Sequence, residues 1–124
     1  DYDHDGDLDL AINNNHSSAA FYRNESSKQN SWVVLKLEGV QSNRSALGAI
    51  VRLKSDSGKQ WQTVRSGSSY CSQSDLALHF GLAKDEVVTA IEVGWPSGKK
   101  QRFFGVKARQ HYLLKEDSER LIGR

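Results

Sequence analysis

The sequence predicts an all-β fold, an antiparallel β-sandwich of about seven strands. Short segments of alternating apolar and polar residues recur along the 124 residues, and turn-forming Gly, Asn and Ser residues separate them. No segment keeps a helical period, and the chain is long enough to enclose one hydrophobic core. Frequent short strands of this kind are typical of a sandwich or a barrel.

Two short strands are predicted in the N-terminal region, over residues 8–12 and 20–23. Residues 24–30, which follow them, are polar and show no periodicity. We therefore place a domain boundary after residue 30 and treat residues 1–30 as a separate N-terminal unit.

The clearest strand covers residues 31–37. Residues 47–54 and 60–65 form a predicted hairpin, because the sequence Asp-Ser-Gly-Lys at residues 56–59 is a turn signal between them. The apolar faces of the first two strands consist of Val33, Leu35 and Leu37, and of Ala49, Val51 and Leu53.

The remaining strands of the predicted sandwich cover residues 76–80, 87–95, 101–104 and 110–114. The residues expected to share one face of the second of these are Val87, Thr89, Ile91, Val93 and Trp95. Pro96 and Gly98 predict a tight turn after it, since Pro fixes φ and Gly accepts a left-handed backbone. The sandwich domain then spans residues 31–116, and we expect a frayed helix in the charged tail, residues 117–124.

Charge is distributed unevenly along the chain. The formal net charge is +2, but residues 1–9 hold five aspartates and no Lys or Arg, so the rest balances 17 bases against 15 − 5 = 10 acids, or +7. The bases are scattered, which indicates a solvated surface and argues against nucleic acid as a partner. No apolar run approaches the roughly 20 residues of a membrane span, so we expect no membrane insertion.

The most specific motif is the carboxylate series D-x-D-x-D-G-x-x-D over residues 1–9. Its candidate metal ligands are Asp1, Asp3, Asp5, Asp7 and Asp9, with Asp7 contributing its backbone carbonyl. Calcium takes roughly six to eight oxygen ligands, and Gly6 permits the sharp bend that wraps an ion. An EF-hand would need Glu at the twelfth position, where this chain has Ile12. We predict a calcium loop between two strands; the alternative is a solvated acidic turn.

Residues 1–10, together with Asn24-Glu25, resemble the last FG-GAP (integrin-α-type) repeat of a β-propeller. In such repeats an aspartate loop binds calcium between two strands of a blade. The resemblance implies that residues 1–30 are a remnant of a β-propeller blade, and that an upstream propeller of the same protein is a partner of the remaining domain.

Residues 31–116 resemble the ASPIC/UnbV domain of the cartilage acidic protein family. The matching motifs, in chain order, are WVVLKL at 32–37, NRSALGA at 43–49, GSSYCSQ at 67–73, LHFGL at 78–82 and VGWPSG at 93–98. Cys71 departs from the family pattern, as does Ala83, which stands where a second glycine usually follows FGL. The resemblance implies a role in binding or adhesion, an extracellular, cell-surface or periplasmic location, and no enzymatic activity. It does not name a ligand.

Candidate catalytic groups are scattered through the sequence. The histidines are His4, His16, His79 and His111, which lie far apart in the chain and form no H-x-x-x-H pair. We expect His79 to be structural and hydrogen-bonded, and Cys71 to be a buried, inert thiol. The acids that could pair for glycoside hydrolysis are Asp75, Asp85, Glu86 and Glu92, although nothing in their spacing favours it.

Aromatic side chains are the candidate ligand contacts. Tyr70 lies in a small-residue loop and Trp61 lies between two glutamines, whereas Trp95 is expected in the core. The sequence and the resemblance together predict a non-enzymatic extracellular binding or adhesion module whose ligand is a protein or a glycan. The alternatives are a structural cap of the propeller with no outside ligand, and a carbohydrate-active enzyme of the glycoside hydrolase type.

Overall fold

The computed structural model describes residues 1–26 and 29–123, and every regular element within them is a β-strand. The strands are β1 (Leu10–Ile12), β2 (Ala20–Tyr22), β3 (Trp32–Glu38), β4 (Ile50–Ser55), β5 (Gly58–Thr63), β6 (Leu78–Gly81), β7 (Val87–Gly94), β8 (Lys100–Lys107), β9 (Gln110–Lys115) and β10 (Ile122–Gly123). The polar connection predicted for residues 24–30 includes residues 27 and 28, which lie outside the described residues.

Two four-stranded sheets pack around one core, in the orders β10-β9-β3-β6 and β5-β4-β7-β8. Both sheets contribute fully buried side chains, among them Leu35 and Phe80 from the first sheet, and Val51 and Ile91 from the second. Each such side chain stabilises the fold by about 2 kcal/mol through the removal of apolar surface from water. The predicted all-β sandwich is confirmed, with β3 to β9 as its seven strands between residues 31 and 116.

One strand pair differs from the predicted antiparallel arrangement. Strands β3 and β9 run parallel, from the pair Val33 and Gln110 to the pair Glu38 and Lys115. Parallel neighbours need a long crossover, and the chain supplies it by forming the whole second sheet, as well as β6, between them. The periodicity of a strand carries no information about the direction of its neighbour, so this pairing was not readable from the sequence.

The predicted inner faces of β3 and β4 are confirmed, since Val33, Leu35, Leu37, Val51 and Leu53 are all buried. The predicted turn after β7 is also present. Gly98 has a φ of +89°, and its amide donates to the carbonyl of Trp95 at 2.9 Å.

The predicted face of β7 is wrong in its first half. Val88 is buried while Val87 is 47% exposed, so the alternation changes phase before Ile91. The partner strand changes phase at the same place, because Phe103 and Val106 are both buried. Gly105 lies between them with a φ of +62°, a backbone conformation that costs little only for glycine. The pairing register is the same on both sides of this point, from Val87 with Lys107 and Val88 with Val106 to Ala90 with Phe104 and beyond.

The predicted frayed helix in residues 117–124 is wrong. Ile122 and Gly123 form β10, which pairs with Leu113 and Tyr112 of β9. This short strand covers an edge of the first sheet that would otherwise expose unpaired backbone groups. Arg124 lies outside the described residues.

A buried carboxylate joins three loops at one end of the sandwich. The side chain of Glu116 accepts hydrogen bonds from the amides of Val40, Gln41 and Ser42 at 2.7 to 2.8 Å. It also accepts from the hydroxyls of Ser42 at 3.0 Å and Ser97 at 2.6 Å. Burial raises the pKa of Glu116, but the hydrogen bonds from Ser97, Ser42 and Val40 outweigh it and hold the pKa at about 2.

Candidate functional site

The aspartate loop closes on itself through hydrogen bonds to its own backbone. Asp9 accepts from the amide of Tyr2 at 2.8 Å and from the amide of Asn24 at 2.9 Å. These bonds, with Asn24 contributing most, lower the pKa of Asp9. Asp1 accepts from the amide of Gly6 at 3.2 Å, and Asp5 from the amide of Asp7 at 3.0 Å.

The loop gathers three of the five predicted ligands. Carboxylate oxygens of Asp1, Asp3 and Asp9 lie within 4.8 Å of one another, in a group that does not include Asp5 or Asp7. Within the described residues, Oδ1 of Asp1 and Oδ2 of Asp7 are buried without a hydrogen-bond partner. The side chain of Asp1 is only 2% exposed. A buried carboxylate oxygen without a donor is costly unless a cation neutralises it, so this cluster fits a hard, oxygen-preferring ion such as calcium.

Gly6 allows the loop to lie directly against the indole of Trp32 in the sandwich. A Cβ built on Gly6 would lie 2.0 Å from Cε2 of Trp32, which is far inside van der Waals contact. Gly6 also has a φ of +94°. A glycine is therefore needed at position 6 for two reasons: the sharp bend of the loop and the close approach of the indole of Trp32.

Two histidines that are far apart in the sequence meet in the fold. The rings of His4 and His111 lie 5.1 Å apart, and that of His111 lies 5.0 Å from Trp32. Nε2 of His111 is 3.5 Å from Oδ2 of Asp1. Burial is the main cause that lowers the pKa of His111, followed by the charge of His4. Sequence spacing could not reveal this cluster, because it forms only when the N-terminal loop docks on β9.

A pocket of about 400 Å³ opens beside this cluster. Its lining consists of Asp1, His4, Val34, Lys36, Asp75, Ala77, His79, His111 and Tyr112. The expectation that His79 is hydrogen-bonded is wrong, because both of its ring nitrogens are buried without a partner among the described residues. Burial lowers the pKa of His79 to about 4, so its imidazole is neutral at physiological pH.

The two aromatic candidates lie on different elements. Tyr70, 93% exposed, is in the loop between β5 and β6, and Trp61, 64% exposed, is in β5. Trp95 is buried, which confirms its predicted place in the core.

Trp61 lies on the outer face of the second sheet, which we call the basic face. It pairs across the strands with Arg52, which pairs with Glu92, which pairs with Arg102. The neighbouring row runs from Lys59 through Lys54 and Ala90 to Phe104, which is 72% exposed. The basic residues of this face are Arg52, Lys54, Lys59, Lys100 and Arg102, and its acidic residue is Glu92.

The four acids considered for glycoside hydrolysis lie in different surroundings. Asp85 accepts from the amide of Ser57 at 2.8 Å. Glu92 pairs with Arg102 at 2.8 Å and with Arg52 at 3.8 Å. Asp75 lines the pocket beside His79, and Glu86 contributes its backbone carbonyl to Ala108 at 2.8 Å.

The expectation that Cys71 is buried is wrong, because its thiol is exposed. The residue lies in the loop between β5 and β6, next to Tyr70 and with a φ of +49°. The residue type alone does not predict whether a cysteine is buried when it lies in a loop without the periodic pattern of a strand or helix.

Fold and site together define a β-sandwich domain with an aspartate-rich loop docked on one of its sheets. The chain belongs to the ASPIC/UnbV family, because the family model described as ASPIC and UnbV matches residues 39–121. It is 33% identical over 103 residues to "Cartilage acidic protein 1" of Homo sapiens and 32% identical to that of Xenopus tropicalis. These matches cover 80% of this chain and 15–16% of the relatives' length. The ASPIC/UnbV resemblance is confirmed, while the FG-GAP repeat in residues 1–30 stays a prediction.

Proposed function

We propose that this chain is a non-enzymatic extracellular binding module whose basic face holds an anionic glycan. The observation that carries the proposal is the exposed Trp61 on the same row as Arg52. An extracellular, cell-surface or periplasmic location is supported by the similarity to proteins named for cartilage. The described residues contain no helix that is both long and apolar enough to cross a membrane.

Charge complementarity favours an anionic ligand. Within the described residues, neither Lys54 nor Lys59 takes part in an ion pair, although the two lie opposite each other on β4 and β5. Unpaired basic side chains on a flat sheet attract carboxylate or sulfate groups. In the part of the chain that the structure describes, Glu92 partly neutralises the two arginines of this face, Arg52 and Arg102.

The aromatic residues favour a sugar ring over a simple counterion. Trp61 and Phe104 belong to opposite outer strands of the sheet, so they flank the basic residues of the central strands. An exposed aromatic ring stacks on the apolar face of a pyranose, while its basic neighbours hold the acidic substituents. An elongated acidic glycan would contact both ends of such a face.

The proposal is tested by calorimetric titration with a sulfated oligosaccharide and with the same backbone free of sulfate. Trp61→Ala is expected to weaken binding about tenfold, as is Arg52→Ala combined with Lys54→Ala. Tyr70→Ala is the control, because it removes an aromatic ring that is even more exposed and lies outside the sheet. Loss of binding in Tyr70→Ala but not in Trp61→Ala would move the site to the loop. If neither sugar binds but an acidic protein does, the ligand of the basic face is a protein and the glycan proposal is wrong.

A propeller attachment is the second candidate function, supported by the hairpin of β1 and β2. The hairpin exposes Leu10, Ile12, Phe21 and Tyr22, and the loop before it exposes Tyr2 and Leu8. A two-stranded hairpin alone is at best marginally stable in water. We propose that it completes a β-propeller blade in the parent protein, and that the sandwich also caps that propeller.

Deletion of residues 31–124 from the longer parent protein tests the capping role. A lower unfolding temperature of the propeller would support capping, and an unchanged temperature would exclude it. The glycan titration above does not depend on this result, since it uses the sandwich itself.

We propose that calcium binds the aspartate loop through Asp1, Asp3 and Asp9, with Asp5 and Asp7 completing the shell. Bound calcium would neutralise the buried carboxylates and hold the loop in its docked shape. Calorimetry with calcium chloride is expected to show one ion bound, and Asp9→Asn is expected to weaken it. Asp56→Asn, in the exposed turn between β4 and β5, is the control. Equal affinity in both variants would contradict the site.

We infer that the domain binds its ligand without cleaving it. Glu92 is held by two arginines and Asp85 by a backbone amide, so neither is arranged as a free acid or base. Incubation of the oligosaccharide with the protein is expected to release no reducing ends. Release that is lost in Asp75→Asn would instead support the glycoside hydrolase alternative.

A further inference from the structure

We propose that Asp1, His4 and His111 form a binding site for a divalent transition-metal ion of the zinc type. This site shares Asp1 with the proposed calcium cluster but differs from it in its other ligands, and it does not depend on the proposed glycan binding. Its ion would join the N-terminal loop to strand β9 of the sandwich.

Geometry brings the three residues into one coordination sphere. One ligand atom from each of Asp1, His4 and His111 lies within 4.8 Å of the other two. Nε2 of His111 and Oδ2 of Asp1 are 3.5 Å apart, which is too long for a strong hydrogen bond. An ion between them at about 2.0 to 2.2 Å from each ligand atom would fit such a separation.

The side chains of His111 and Asp1 each have one buried atom without a partner in the described residues, although Oδ2 of Asp1 also accepts from the amide of Gly6 at 3.2 Å. Nε2 of His111 is buried without a hydrogen-bond partner, and so is Oδ1 of Asp1. The carboxylate of Asp1 is 2% exposed, so water does not compensate it. Such unpaired buried groups are rare in folded proteins, and they are typical of positions that bind an ion or a water molecule.

The ligand types select the metal. Two imidazoles with one carboxylate suit zinc and related transition-metal ions, whereas calcium prefers an all-oxygen shell. Asp1 is common to both candidate clusters, but Asp3 and Asp9 belong only to the oxygen cluster. The two histidines are therefore the residues that distinguish the two metals.

Three protein ligands leave a tetrahedral ion one open position. The pocket that contains all three residues also contains His79 and Lys36. The open position therefore faces a space where water or a small anion could bind the ion. Structural zinc sites are usually closed by four protein ligands, so this arrangement is that of a ligand-accepting site.

Zinc chloride titration by calorimetry tests the proposal, on metal-stripped protein without an affinity tag. The α-amino group of residue 1 is acetylated in a parallel sample, so that only side chains can coordinate. We expect one zinc ion per chain, and visible absorption from bound cobalt in its place. His4→Gln and His111→Gln are each expected to weaken zinc binding by at least about tenfold.

Two controls separate this site from other binding. His16→Gln removes a histidine in an exposed turn, and Asp3→Asn removes a carboxylate of the oxygen cluster only. Both are expected to keep the zinc affinity. His4 lies in an exposed loop outside the core, so His4→Gln stays informative even if His111→Gln perturbs β9. Unchanged zinc affinity in His4→Gln and His111→Gln, or no binding up to millimolar zinc, would overturn the proposal.

Discussion

The imidazole rings of His4 and His111 meet edge to face, with centroids 5.1 Å apart and planes inclined by 83°. One ring belongs to the aspartate loop and the other to β9, so this contact joins the loop to the sandwich. Trp32 extends the same contact, since its indole touches both the His111 ring and the backbone of Gly6. The docked position of the loop is therefore set by aromatic packing as well as by its carboxylates.

Substitution of Gly6 by alanine is expected to displace the loop from the sandwich, because the new methyl group would overlap the indole of Trp32. The measurement is the indole N–H resonance of Trp32 by NMR, together with proteolysis of residues 1–26. Gly98→Ala is the matched control, since Gly98 has a φ of +89° and no atom within 4 Å of its Cβ position. Equal spectra and equal proteolysis for the two variants would show that the loop does not rest on Trp32.

Replacement of Glu116 by glutamine is expected to destabilise the fold by about 2 kcal/mol. The glutamine oxygen could still accept from the amides of Val40, Gln41 and Ser42, but it lacks the negative charge that strengthens these hydrogen bonds. Urea unfolding gives the change in free energy. Glu119→Gln, at an exposed position of the same tail, should cost less than about 0.5 kcal/mol. A similar small cost at Glu116 would mean that its hydrogen bonds contribute little.

His79 is expected to make the protein less stable as the pH falls from 6.5 towards 4. The folded pKa is lowered from 6.5 to about 4, so the unfolded chain takes up a proton first in this window. Stability linked to His79 is therefore complete above pH 6.5 and is lost as the pH approaches 4. The urea midpoint of unfolding, measured across this pH range with a metal chelator present, should fall less with decreasing pH in His79→Gln than in the unsubstituted protein. An identical slope for both proteins would contradict the buried, neutral imidazole.

Cys71 is expected to react with an aromatic disulfide reagent in the folded protein, because its thiol is exposed. The absorbance of the released thiolate should show one reacting group without denaturant. The rate should change little on adding urea, since no unfolding is needed to reach the sulfur. Cys71→Ser gives the background. Reaction that begins only at the urea unfolding transition would place the thiol in the core.

Much of the sandwich was predictable because burial on one face of a strand imposes a period of two. The core residues of β3 and β4 followed directly from that period. The buried face of β7 did not follow from it, since the alternation of buried and exposed residues changes phase in both β7 and β8 near Gly105. A change of phase that depends on a partner strand leaves no mark in the strand's own pattern.

Some features of the candidate site could likewise be predicted from the sequence, and others could not. The carboxylate series at residues 1–9 and the candidacy of Trp61 as a ligand contact both came from the sequence, because each depends on local spacing and residue type. The sequence by itself thus determined the all-β class, the family motifs and the acidic loop. Only the tertiary structure placed His111 beside Asp1 and His4, set β9 parallel to β3, and gathered the basic face. These relationships join residues that are distant in the chain, and such contacts depend on how the strands pair and on how the loop docks.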